Sequence, residues 1–263
     1  ETPAAEPIPQ SLADHWILSR LDEAAQQVEK QLETYHFAEA AETIYHVVWD
    51  DVADWFVEVS KVEQNINMNA YVLDAVLRLS HPFAPFVTET IWQALPWHDT
   101  ILAGEAWIKT AKYDDIAAGQ FDRLKNLVSE ARYVMSELPG NKRYGMLYMD
   151  DSLVADNAEL IQKLARVKSV EHVDQARGLR LAASGRDAWL DLDDDTLYEH
   201  QTNLEKRLAN VRQQVKTLET RLANENYTAK APAHLVEETR RQLAEEQALI
   251  KRLQTELQVI ARS

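Results

Sequence analysis

Apolar positions recur at three- and four-residue steps along most of this chain, the signature of helices that bury one face. Ser11 followed by Asp14 reads as a helix start, after which Leu12, Trp16, Leu18, Leu21, Ala25, Val28 and Leu32 mark an amphipathic helix. A second helix runs from about Phe37 to Val62. Its wide apolar face (Ala41, Ile44, Tyr45, Val48, Trp49, Val52, Trp55, Phe56, Val59) suits a central place in a bundle. A third covers about Asn67 to Ser80. The segment His81-Pro82-Phe83-Ala84-Pro85-Phe86 interrupts it, and Thr88 opens a fourth at Glu89–Leu95. Another, about Gly119 to Leu138, stops at Pro139-Gly140.

The period then shortens. Tyr144–Met149, Val170–Val173, Leu179–Ala183 and Ala188–Leu192 are short apolar or alternating runs with Gly145, Gly178 and Gly185 among them, and they read as strands. Asp156–Arg166 reads as a helix inserted between them.

From Leu204 the pattern becomes heptad. Leu204, Leu208, Val211, Val215, Leu218 and Leu222 alternate steps of four and three. Val236, Thr239, Leu243, Ile250, Leu253, Leu257 and Ile260 resume the pattern, with Glu246 as a polar interruption. Pro232 lies in the break, which a continuous helix tolerates poorly, so two helices fold back as an antiparallel pair. Asp191, Asp193, Asp194 and Asp195 put negative charge where the first of them begins, as the helix dipole favours. The predicted fold is mainly α: a linker over residues 1–10, a helical bundle over 11–140, a small α+β insert over 141–196 and an antiparallel coiled-coil hairpin over 197–263.

Charge separates the hairpin from the rest. Residues 197–263 hold 11 Lys+Arg against 9 Asp+Glu, while the other 196 hold 17 against 34, within a net charge of −15. An acidic body argues against binding nucleic acid through bulk charge, although a local patch still acts within the screening length. Zero cysteines exclude disulfides and thiolate chemistry, which fits a cytoplasmic protein. No apolar run reaches a membrane span, and the N-terminus lacks the pattern of a signal peptide.

Catalytic patterns are missing. The six glycines never approach a phosphate-loop spacing, and the eight histidines never pair at a metal-binding interval. Asp50, Asp51 and Asp54 fall within one helical turn and have the chemistry for a divalent cation or acid–base work. The plainer reading is a solvated face beside a buried Trp49/Trp55 pair. Trp49, Trp55 and Trp92 read as bundle core rather than as stacking surfaces for bases. His81 reads as the cap of its helix.

Tyr227, in Asn224-Glu225-Asn226-Tyr227-Thr228-Ala229-Lys230-Ala231-Pro232, either presents its ring at the hairpin tip or packs under the turn and closes it. On the hairpin Arg207, Arg212, Arg221 and Arg240 flank the seam, whereas Lys206, Lys216, Arg241, Lys251 and Arg252 face outward. Routine salt bridges with Glu205, Glu219, Glu238 and Glu245 are the competing use for these cations.

Three segments carry a resemblance. Trp49–Lys61 (WDDVADWFVEVSK) and His81–Pro96 (HPFAPFVTETIWQALP) resemble the helical anticodon-binding domain of class Ia aminoacyl-tRNA synthetases. Leu222–Leu243 (LANENYTAKAPAHLVEETRRQL) is similar to the tRNA-binding coiled-coil arm of valyl-tRNA synthetases, and Asp14–Leu21 (DHWILSRL) fits the first helix of the same anticodon domain. The first two segments alone leave the isoleucine and leucine enzymes open; the third favours valine. The family's HxGH and KMSKS motifs do not occur, so the resemblance implies a catalytically inactive portion that follows the catalytic core. It also implies no cofactor here, ATP and Mg being used by the full-length enzyme. Arg132 is followed by Tyr133, Val134 and Met135, a departure from the family's usual Arg-Asn-x-Arg.

The resemblance implies tRNA(Val) and the preceding part of the synthetase as partners, in a monomer. The expected brace on the tRNA comprises Lys206, Arg207, Arg212, Lys216, Tyr227, Lys230, Arg240 and Arg241. Polarity near helix ends nominates Lys61, Asn65, Arg132, Lys142 and Arg143 for the anticodon end. From the residues alone, two other classes remain: a module that dimerises through its coiled coil, and an enzyme built on the Asp50/Asp51/Asp54 cluster.

Overall fold

The computed structural model describes residues 6–140 and 142–260. Half of the expected linker, residues 1–5, and the last three residues of the expected hairpin lie outside the described residues. The chain forms two compact units divided after Asn126.

The first unit is helical. It contains α1 (Leu12–Glu33), α2 (Phe37–His46), a π-helical stretch (Val47–Phe56), α3 (Val57–Ser60), α4 (Ile66–Ser80), α5 (Pro85–Ala94), a 3-10 turn (Leu102–Gly104) and the start of α6 (Asp115–Glu137). The Ser11 hydroxyl caps α1 by accepting from the Asp14 amide at 3.3 Å. The Asp14 carboxylate in turn accepts from the Gln10 amide at 2.8 Å and from Asn65 Nδ2 at 2.7 Å. Pro7 is buried, and the Ile8 carbonyl accepts from Asn65 Nδ2 at 3.3 Å. Trp16 is buried against Phe121, ring centroids 5.0 Å apart, and its indole donates to Asp122 at 2.9 Å. Trp92 is fully buried, under Arg78 and stacked on His98. Helix α5 begins at Pro85, earlier than the expected Glu89, because proline suits the first helical position, whose N–H would be unpaired. His81 caps α4 and pairs through Nδ1 with the Thr88 hydroxyl at 2.8 Å.

The π-helical stretch corrects the reading of the tryptophans. Within it Val47, Asp51 and Phe56 are buried, at steps of four and five. A turn wider than 3.6 residues carries positions such as Trp49 off the inner face. Trp49 is 56% exposed and Trp55 half-buried. The aspartates divide accordingly. Asp51 is buried and paired with Arg20 at 2.9 Å and Lys125 at 3.5 Å, whereas Asp50 faces out to His46 at 2.7 Å. They are therefore not one solvated face. Among the described residues no group of three His, Asp or Glu side chains is arranged to hold a metal.

The second unit combines the end of α6 with a sheet and a helical hairpin. Strands β1 (Gly145–Tyr148), β2 (Val170–His172), β3 (Leu179–Arg180) and β4 (Ala188–Asp191) form a sheet of order β2-β1-β4-β3. β1 and β2 are parallel, joined through α7 (Ser152–Asp156) and α8 (Ala158–Ala165); the other pairings are antiparallel. Two helices thus stand where one was expected. Gly178 has a φ of +80° and lies so close to the Leu190 carbonyl that a Cβ would meet it at 2.1 Å, so only glycine fits. The end of α6 is tied to this unit by side chains: Arg132 Nε donates to the Leu164 carbonyl at 2.7 Å, and Glu130 accepts from the Ala183 and Ser184 amides.

The hairpin consists of α9 (Asp194–Ala223), α10 (Glu225–Lys230) and α11 (Ala233–Ile260). Asp193 caps α9, its Oδ1 accepting from the Thr196 amide at 2.7 Å. Leu204, Leu208, Val211 and Val215 are buried on one side of the seam and Val236, Thr239, Leu253 and Ile260 on the other. Gln247 meets Glu219 near the end of α9 while Glu256, further along α11, acts on His200 near the start of α9, so the two helices run in opposite directions. The expected tip loop contains a turn of helix, α10, because the Asn224 side chain caps it through the Asn226 amide at 3.0 Å.

Candidate nucleic-acid interface

Burial of the heptad seam leaves the outer faces of α9 and α11 to carry charge. Lys206, Arg212, Lys216 and Lys230 are exposed, and none makes an ion pair among the described residues. Arg240 and Arg241 are exposed too but lean on carboxylates of their own helix, Glu237 at 3.6 Å and Glu245 at 3.7 Å. Such surface pairs are worth under about 1 kcal/mol.

Two members of the expected brace have other duties. Arg207 Nη1 donates to Glu137 on α6 at 2.7 Å. The Tyr227 hydroxyl meets the Leu235 carbonyl at 3.1 Å and the Thr239 hydroxyl at 2.8 Å, with the Arg221 guanidinium 4.4 Å above its ring. Tyr227 therefore packs under the turn and closes the hairpin. Arg252, expected to face outward, lies 4.1 Å over the Tyr133 ring and pairs with Glu256 at 3.2 Å.

The five residues nominated for the anticodon end fall into two groups. Lys61 and Asn65 belong to the first unit. Lys61 is exposed beside Glu58 at 2.5 Å. Asn65 is buried: its side chain caps α4 through the Met68 amide and donates to Asp14 and to the Ile8 carbonyl. Its amide group is thus engaged within the first unit. Arg132, Lys142 and Arg143, in the second unit, line one concavity of about 650 Å3 together with Arg166. Sequence reasoning missed Arg166, which lies on no helix face and is brought to this place by the end of α8.

A second missed feature is aromatic. In the first unit Tyr45 and Trp49 are exposed, their rings parallel within 7° with centroids 6.3 Å apart. They line a small concavity of about 240 Å3 with Phe83. Flat exposed rings of this kind accept unpaired bases.

Residues 14–142 match the family described as the anticodon-binding domain of tRNA ligase, and residues 197–261 match the valyl tRNA synthetase tRNA binding arm. The class is thus that of the aminoacyl-tRNA ligases. The valine–tRNA ligase of Thermotoga maritima is 34% identical over 258 residues, covering 92% of this chain and 30% of that protein. That of Streptomyces avermitilis is 31% identical over 261 residues, covering 94% and 30%. The enzyme of Geobacillus stearothermophilus is 32% identical, covering 88% and 29%. The chain belongs to the valyl-tRNA synthetase family, of which it carries the anticodon-binding domain and the tRNA-binding arm. It spans about 30% of the length of the relatives it matches. Among the described residues no helix is long and apolar enough to cross a membrane.

Proposed function

We propose that this chain is the part of a valine–tRNA ligase that holds tRNA(Val), its bundle receiving the anticodon stem-loop and its hairpin bracing the outer corner where the D and T loops meet. The whole enzyme would charge tRNA(Val) with valine in the cytoplasm, using ATP and magnesium at a centre carried elsewhere in its chain. The observation that carries this reading is the combination of the arm match with four exposed cations, Lys206, Arg212 and Lys216 on α9 and Lys230 at the tip, on a hairpin whose apolar seam is already filled.

The two ends work by different physics. A brace needs cations facing phosphates, which add affinity and register without choosing sequence. Anticodon reading needs splayed bases held by stacking and edge hydrogen bonds, and the exposed Tyr45/Trp49 pair supports that role in the bundle. Because the seam is satisfied within one hairpin, the chain is proposed to be a monomer of 30.1 kDa, and sedimentation checks this.

Ribonuclease footprinting of tRNA(Val) bound to this chain tests the function. Protection of both the anticodon loop and the D/T-loop corner is expected, weaker on a non-cognate tRNA. Protection confined to the acceptor stem, or none at concentrations that saturate the complex, would overturn the reading.

A further inference from the structure

We infer that the concavity lined by Arg132, Lys142, Arg143 and Arg166 is a second RNA-backbone site, seating phosphodiester groups against the α+β insert independently of the hairpin. The inference rests on the proposed tRNA-binding function and extends it past the end of the anticodon-domain match: Arg132 and Lys142 lie inside that match, and Arg143 and Arg166 lie outside both.

Among the described residues, four of the eight that line this concavity are cationic and none is a carboxylate. In a chain of net charge −15, four cations with no carboxylate in the described lining are a local reversal of sign. Screening confines the repulsion of distant aspartates to about 8–10 Å, so the local sign decides what binds. Arg132 is held in place by its bond to the Leu164 carbonyl. Arg143 and Arg166 make no ion pair among the described residues, and Lys142 feels the field of Asp193, whose oxygen already accepts from the Thr196 amide.

Arg166 adds a second argument. It ends α8 with φ +58° and ψ +30°, the left-handed conformation in which glycine or asparagine is the usual residue. Capping does not call for an arginine there, whereas a cation at this point completes the cluster. Backbone strain retained at one residue points to a role for its side chain.

The walls select the occupant. Protein partners dock through buried aromatic or aliphatic anchors, and among the described residues this lining offers only Met135 and Ala165 as apolar side chains. Phosphate needs no such anchor. A volume near 650 Å3 has room for a stretch of backbone rather than a single ion.

The test uses the whole chain, tRNA(Val) and two variants, Arg166→Gly and Lys142→Ala/Arg143→Ala, with affinity measured by fluorescence anisotropy across a salt series and unfolding followed in urea. Arg166→Gly is expected to unfold at an equal or higher urea concentration while binding tRNA several-fold more weakly. The double variant should make the plot of log K against log salt shallower by about one to two. Unchanged affinity and slope in both variants would overturn the site; if Lys206, Arg212 and Lys216 replaced by alanine still weaken binding, the proposed function survives that failure. A wild-type chain that binds no tRNA would overturn both. Inorganic phosphate is titrated in parallel. Stabilisation by phosphate that the variants abolish, with tRNA binding untouched, would assign the concavity to a free phosphate and overturn the RNA reading.

Discussion

Arg207 on α9 and Glu137 at the end of α6 meet at 2.7 Å, joining the root of the hairpin to the helix that precedes the sheet. The pair is half exposed, so its coupling energy in a double-mutant cycle is expected to be about 0.5–1 kcal/mol. Arg207→Ala should therefore change urea stability little. Its effect on tRNA affinity should be smaller than that of Lys216→Ala, since Arg207 has a carboxylate to face and Lys216 has none among the described residues. Equal losses for both would mean that Glu137 yields the arginine to RNA.

The seam residues behave differently. Leu253 is fully buried, and Leu253→Ala is expected to cost about 2–4 kcal/mol of stability through lost burial and the cavity left behind. Urea unfolding measures it. A cost below about 1 kcal/mol would mean that the two helices are not packed along this seam.

Asp51 joins Arg20 and Lys125 inside the first unit. Burial pushes the Lys125 ammonium below its ordinary pKa, with Asp51 opposing that shift. Asp51→Ala leaves both cations facing each other and should cost about 3 kcal/mol, the low end of the range for severed buried pairs because Arg20 keeps access to water. Replacing Asp54, which is exposed, should cost under about 0.5 kcal/mol.

His200 is buried at the root of α9, and its Nδ1 has no hydrogen-bond partner among the described residues. Burial lowers its pKa from 6.5, against the opposing pull of Glu256 and Glu137. The unfolded chain then binds a proton that the folded chain resists. Stability is full above pH 6.5 and falls as the pH drops below it. His200→Gln should flatten that part of the pH–stability curve. A curve unaffected by the substitution would contradict the assignment.

Trp49 is more than half exposed, so Trp49→Ala should leave stability within about 0.5 kcal/mol of wild type. If its ring stacks on an anticodon-loop base, tRNA affinity should fall by about 1–3 kcal/mol. Loss of stability without loss of binding would return Trp49 to the core.

Much of this architecture is legible in the sequence because periodicity reports burial directly. The heptad steps from Leu204 to Ile260 mark the seam that is buried, and the glycine-punctuated runs after Tyr144 mark the four strands. The limits are equally physical. A 3.6-residue period misplaces Trp49 because the helix around it is wound more loosely. Asn65 and Tyr227 are polar residues near helix ends that answer backbone and hydroxyl groups, and nothing local distinguishes that from reaching a ligand. Arg166 joins Arg132 and Arg143 only through the packing of α8 against the end of α6, a relation across some thirty residues that composition does not encode.

The central claim is that cations on a self-satisfied hairpin bind the tRNA backbone. Binding of tRNA(Val) to the wild-type chain and to a chain with Lys206, Arg212, Lys216 and Lys230 replaced by alanine, compared between about 50 and 200 mM salt, tests it most directly. The account predicts weaker binding by the variant and a salt slope shallower by about two or more, with unfolding unchanged. Identical affinity and identical slope in the two proteins would contradict it.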